Sequence, residues 1–101
     1  MRVIVFFDLP VETHIQRRNY THFRKFLIRN GFIMMQESVY TKLAPTPTVA
    51  DSIQFMIRRN KPSEGIVQML TITEKQFSRM ELLTGQYQSE ILDDDRRLVI
   101  L

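Results

Sequence analysis

The chain has 101 residues, 44% of them hydrophobic and 25% charged, with a formal net charge of +3. That supports one small core, a single domain over 1-101, and leaves no room for a second; the absence of cysteine excludes disulfides, thiolate metal sites and cysteine nucleophiles together. No apolar run approaches the roughly 18 residues of a membrane helix, and the amino terminus enters a strand rather than a signal peptide, so the expectation is a cytoplasmic protein with no membrane partner.

The run Val3-Ile4-Val5-Phe6-Phe7 predicts a strand covered on both faces, because β-branched and aromatic side chains suit a buried pleat. Pro10 has no N–H to give a ladder, so the strand ends near Asp8. One carboxylate therefore stands at the carboxyl end of the most apolar strand, where open α/β sheets tend to hold their sites. Two roles are open to it: accepting turn amides, or holding Mg²⁺ or Mn²⁺ through hard oxygen contacts. Mg²⁺ usually takes one or two carboxylates plus substrate phosphates, and a two-fold axis near Asp8 would supply a second copy.

Residues 13 to 30 read as a helix stopped by Asn30-Gly31. At about 100° per residue, Ile15, Tyr20, Phe23, Phe26 and Leu27 share one arc, and Arg17, Arg18, His22, Arg24, Lys25 and Arg29 fall largely opposite. Glu12 is the only acid between Pro10 and Asn30, so little in the helix offsets these charges. The planar forks of arginine suit phosphate oxygens, and a face of this kind binds a nucleic-acid backbone without reading bases.

Phe32 to Leu43 is extended, either one bent strand or two short ones across a bulge. Thr48 to Arg59 reads as a second helix with Thr48 as its cap and Val49, Ile53, Met56 and Ile57 at core spacing. Arg58, Arg59 and Lys61 at its end are accounted for by the helix dipole. Ile66 to Ile72 is another strand; Thr73-Glu-Lys-Gln76 has capping-box spacing and starts a helix to about Leu83, stopped by Gly85. A polar stretch over 86-95 ends in Asp93-Asp94-Asp95, read as a solvated loop, and Leu98 to Leu101 reads as a strand that must add to a sheet edge. The order β-α-β(-β)-α-β-α-β fits an α+β, ferredoxin-like (βαββαβ) sandwich with an additional C-terminal strand, and a chain this small gains by forming a homodimer.

Other chemistry finds little support. His14 and His22 read as surface side chains, the three glycines form no phosphate loop, and no serine elbow is present. The methionines, Phe7 and Tyr40 read as core, and no stretch resembles the aromatic motif of an RNA-recognition domain.

Phe-Phe-Asp8-Leu-Pro with Arg17-Arg18 after it, Phe23-Arg24-Lys25-Phe26-Leu27 leading to Asn30-Gly31-Phe32, Gln36-Glu-Ser38-Val39-Tyr40, and Thr73-Glu-Lys-Gln76-Phe77 occur in that order along nearly the whole chain. Together they resemble the Cas2 family of small CRISPR-associated adaptation proteins, most closely members found with Cas9-type systems. The resemblance implies a ferredoxin-like homodimer whose last strand, 96-101 here, pairs with the sheet of the partner protomer. It implies a partner integrase, with the Cas2 dimer between two integrase dimers holding duplex DNA that becomes a spacer. It also implies a metal-dependent endonuclease acting on RNA or DNA, with Asp8 as the metal ligand and catalytic residue, an activity separable from spacer integration in part of the family. Phe7 stands where many relatives carry tyrosine, so a role for that hydroxyl is absent. Two alternatives stand beside this: a toxin-like ribonuclease on the same scaffold, and a purely architectural DNA-binding subunit.

Overall fold

In the computed structural model, which describes residues 1–85, the chain forms β1 (Arg2–Asp8), α1 (His14–Arg29), β2 (Ile33–Gln36), β3 (Val39–Leu43), α2 (Pro47–Arg59), β4 (Ile66–Ile72) and α3 (Glu74–Ser78). The sheet order is β2-β3-β1-β4, with each neighbouring pair antiparallel. Both long helices pack on one face: Phe23 and Leu27 of α1 and Ala50, Ile53 and Ile57 of α2 share a core with Val3, Val5, Phe7 and Leu9. This is the α+β, ferredoxin-like architecture.

Alternation along β1 then decides what each residue meets. Odd positions turn to the helices, while Arg2, Ile4, Phe6 and Asp8 turn to the outer face of the sheet. Among the described residues the helices cover the inner face, while on the outer side Ile4 is buried, Arg2 and Phe6 are half-buried, and Asp8 is exposed. Phe7 anchors the inner side, its ring edge-on to Phe23 at 5.2 Å and stacked with Tyr40 at 5.7 Å. Phe7 and Tyr40 are core, as expected.

The extended segment after Gly31 is two strands, not one. Gln36 pairs with Val39 across the turn at Glu37 and Ser38, where Ser38 takes φ 67°, and the register shifts between Met34 and Gln36. Tyr40 and Gln36 therefore do not share a face; Tyr40 is buried and Gln36 exposed.

Helix α2 begins earlier than Thr48. Thr46 is its cap, accepting from the Val49 amide at 3.2 Å, and Pro47 fills the first helical position, where a missing N–H costs nothing. Helix α3 ends at Ser78, well short of Leu83. The amides of Arg79 and Met80 bond to the carbonyls of Gln76 and Phe77, three residues back, and Leu83 is 86% exposed. A helix without a buried face has little to extend it beyond its capped first turn. Ile15 likewise lies exposed, outside the packed arc of α1. The expected C-terminal strand at 96-101 and the acidic run Asp93 to Asp95 lie outside the described residues.

Candidate metal and nucleic-acid site

Asp8 is placed by three backbone contacts at one end of the sheet. It pairs with Ile66 at the start of β4; its neighbour Phe7 donates its amide to the Ser38 carbonyl at 3.0 Å; and Gly65 packs against it from the side. Gly65 has φ +88°, and a Cβ built there would lie 2.7 Å from the Asp8 carbonyl oxygen and 2.8 Å from Leu9 Cδ2. Only glycine permits that approach in that conformation. The sequence reading passed over Gly65, although a glycine between Pro62-Ser-Glu and a strand is a signal for close backbone approach.

The Asp8 carboxylate is exposed, and among the described residues no side chain or amide donates a hydrogen bond to it and no cation pairs with it. The turn-amide role is thus not what the residue does here. A bare, solvent-facing carboxylate on a fixed backbone is a suitable hard donor for a divalent cation. It is one donor only: no group of three or more His, Asp or Glu that could hold a metal occurs among the described residues. Any metal there must complete its shell with water, with substrate phosphate, or with a second copy of the chain.

Helix α1 starts just beyond. Thr13 caps it with both halves of a capping box: its hydroxyl accepts from the Gln16 amide at 3.1 Å, and Gln16 Oε1 accepts from the Thr13 amide at 3.0 Å. Arg17 donates from Nη1 to the carbonyls of Val11 and Glu12, at 3.1 and 3.0 Å, stitching the helix to the loop that leaves Asp8. Arg17, Arg18 and Lys25 line a shallow surface groove with His14, Thr21 and His22. Arg29 is exposed one turn further on, while Arg24 is half-buried at the flank. The only ion pair among the described residues is Arg2 with Glu74, so the cations of α1 carry no counter-charge there.

The structure does not merge the two candidate sites. Asp8 points from the outer face of the sheet, whereas the exposed side of α1 looks away on the opposite side of the molecule. Of the five basic residues, Arg17 is the one linked to the Asp8 loop.

The model of the family described as CRISPR associated protein Cas2 matches residues 1–80. The chain belongs to the Cas2 family. It is 56% identical over 101 residues to the CRISPR-associated endoribonuclease Cas2 of Treponema denticola, covering all of both chains. It is 44% identical to the protein of the same name from Streptococcus mutans, covering all of this chain and 93% of that one. The Ligilactobacillus salivarius protein of that name is 43% identical over the full length of both. The fold is shared with the crystal structure of Streptococcus pyogenes Cas2 at pH 6.5, with a TM-score of 0.61 and 22% identity over 83% of this chain and all of that one. This Cas2 chain has a CRISPR role, and no helix among its described residues is long and apolar enough to cross a membrane.

Proposed function

We propose that this Cas2 works as a homodimer in CRISPR spacer acquisition, holding duplex DNA on the outer face of α1 and bridging integrase dimers, with a metal-dependent endonuclease centre at Asp8. The observation that carries the reading is the uncompensated cationic face. Arg17, Arg18, Lys25 and Arg29 are exposed with no carboxylate paired to them among the described residues, and such a face gains by releasing counterions from a phosphate backbone. It offers positioning contacts and no base-reading element, which suits a subunit that must hold any spacer sequence.

The outer sheet face supports the dimer. Ile33, Leu43, Ile66 and Leu70 are about half exposed on that side, an apolar area that a second copy would cover. A two-fold pairing across this face turns two Asp8 carboxylates toward a common region. Asp8 and the same residue of its partner would hold Mg²⁺ or Mn²⁺, which when bound polarises a phosphodiester and lowers the pKa of water. The protein's own part is to fix the carboxylate, through the ladder to Ile66 and the seat at Gly65, and to steady the strand by its phosphates through Arg17. The relatives are named endoribonucleases, which favours RNA for cleavage at Asp8 while the α1 face serves DNA.

Reconstituted spacer integration with the cognate integrase separates the two tasks. Asp8→Ala is expected to integrate as well as the unaltered protein, and an Arg17→Glu/Arg18→Glu variant to bind duplex weakly and integrate poorly. Duplex binding unchanged in the double variant would overturn the assignment of the α1 face.

A further inference from the structure

The helix dipole suits the cations at the end of α2, and the fold gives them a further setting. Helix α2 ends at Arg59, and the connection 60–65 returns to Ile66, directly opposite Asp8 in the ladder. Leu9, Pro10, Gln16 and Asn19 meet Pro62 and Glu64 around a small cleft, and Gln16 Nε2 lies 3.5 Å from Glu64 Oε2. Arg58, Arg59 and Lys61 therefore belong to the same end of the molecule as Asp8, although about fifty residues separate them in sequence.

On that end stands Phe55, 58% exposed, three and four residues before Arg58 and Arg59 and so on their face of the helix. A single exposed apolar side chain is ordinary. Its company is not: Arg58, Arg59 and Lys61 are all exposed and none forms an ion pair among the described residues. The dipole accounts in part for Lys61, whose Nζ donates to the Arg58 carbonyl at 3.2 Å. Arg58 donates to Gln54 Oε1 at 3.2 Å, a neutral partner that leaves the charge unbalanced. Arg59 lies over the Phe55 ring at 5.6 Å, loosely beside the 4.3 Å of Arg2 over Phe77. The acids of the same stretch, Asp51 and Glu64, sit two turns before Arg58 and beyond Pro62.

We propose that Phe55, Arg58, Arg59 and Lys61 form a second nucleic-acid contact, for an unpaired strand, with Phe55 stacking on a base and the three cations taking the flanking phosphates. An exposed aromatic among unbalanced arginines is the chemistry of single-strand binding, since every base has a π face and every linkage a negative charge. The α1 face lacks this element: the groove is lined by charges, the Thr21 hydroxyl and no aromatic ring other than histidine. The inference rests on the nucleic-acid reading above and divides the work, duplex to α1 and single-stranded extension to α2.

Fluorescence anisotropy with three labelled oligonucleotides tests it: a blunt duplex, the same duplex with a single-stranded tail, and the single strand alone. Phe55→Ala should weaken the tailed and single-stranded probes by about tenfold, leave the blunt duplex unaffected, and keep the melting temperature, since the ring is exposed. Phe55→Tyr should restore binding. Replacing Arg58, Arg59 and Lys61 with glutamine should lower the salt slope on the single strand by roughly 0.7 per lost phosphate contact. Unchanged single-strand binding in Phe55→Ala, or an equal loss on the blunt duplex, would overturn the proposal. Arg18→Glu on the blunt duplex reports separately on the α1 face: a loss there with no effect of Phe55→Ala removes only the α2 contact, and the reverse removes only the α1 reading.

Discussion

Arg2 and Asp8 stand at opposite ends of β1, on the same outer face, and differ in what surrounds them. Arg2 is held by a two-pronged bridge, Nε to Glu74 Oε2 at 2.8 Å and Nη2 to Glu74 Oε1 at 2.9 Å, with the Phe77 ring beneath its guanidinium. Asp8 has a rigid backbone and a carboxylate with no protein partner among the described residues. A charge that serves the fold is paired within it. Asp8 is held firmly yet left open, and the α1 arginines likewise face no paired carboxylate among the described residues; the proposed function reads both as groups free to meet a ligand.

The largest expected effect breaks the open end. If Asp8 holds the metal as proposed, Asp8→Ala should reduce metal-dependent phosphodiester cleavage by roughly a hundredfold or more, since the proposed ligand is lost outright, while thermal unfolding stays unchanged. Chelation of the unaltered protein should reproduce the loss. Cleavage that survives either treatment would dissociate Asp8 from catalysis.

Next comes the seat beneath Asp8. Gly65→Ala must place a Cβ against the Asp8 carbonyl and Leu9, in a backbone conformation that side chains rarely adopt. A loss of about 1–3 kcal/mol is expected, measured by denaturant unfolding, along with weaker metal-dependent cleavage as the carboxylate shifts. A stable Gly65→Ala variant would mean that the 60–65 connection can move aside and does not fix Asp8.

The fold was largely readable because periodicity survives burial. The apolar run before Asp8, the spacing of Phe23 and Leu27 in α1, and the Thr73-to-Gln76 box each act within a few residues, and each appears in the structure. Thr13 and Gln16 form the same box, with the same spacing in the sequence. What sequence could not deliver was juxtaposition. Gly65 meets Asp8, and Arg58 comes to the Asp8 end, only because α2 returns the chain to the start of β4. Helix lengths differ from expectation where tertiary packing decides them: α3 stops once its cap is satisfied, since Met80, Leu82 and Leu83 find no core among the described residues.

Between the two ends of β1 lies Thr41, 4% exposed, opposite Ile4 on one side and Ile33 on the other. Its hydroxyl has no hydrogen-bond partner among the described residues. Thr41→Val keeps the branched shape and removes the unsatisfied group, so the protein should gain up to about 1 kcal/mol, read as a higher melting temperature. A loss instead would show that this hydroxyl is bonded from beyond residues 1–85 or by a second copy.

The closed end of β1 gives the smallest effect and one with a definite pH signature. Hydrogen bonds from Arg2 hold the Glu74 carboxyl below its ordinary value of 4.5. A carboxyl whose pKa is depressed on folding contributes stability that is complete above its unfolded value and is lost as pH falls through the folded one. Because Glu74 is nearly half exposed, solvent screens the pair, and Glu74→Gln should cost less than about 1 kcal/mol near pH 7. The gap between the unaltered protein and the variant should then close as pH drops below the carboxylate range. A gap that persisted in acid would assign the contribution of this end to the stacking of Arg2 on Phe77 rather than to its charge, since that contact is indifferent to the protonation of Glu74.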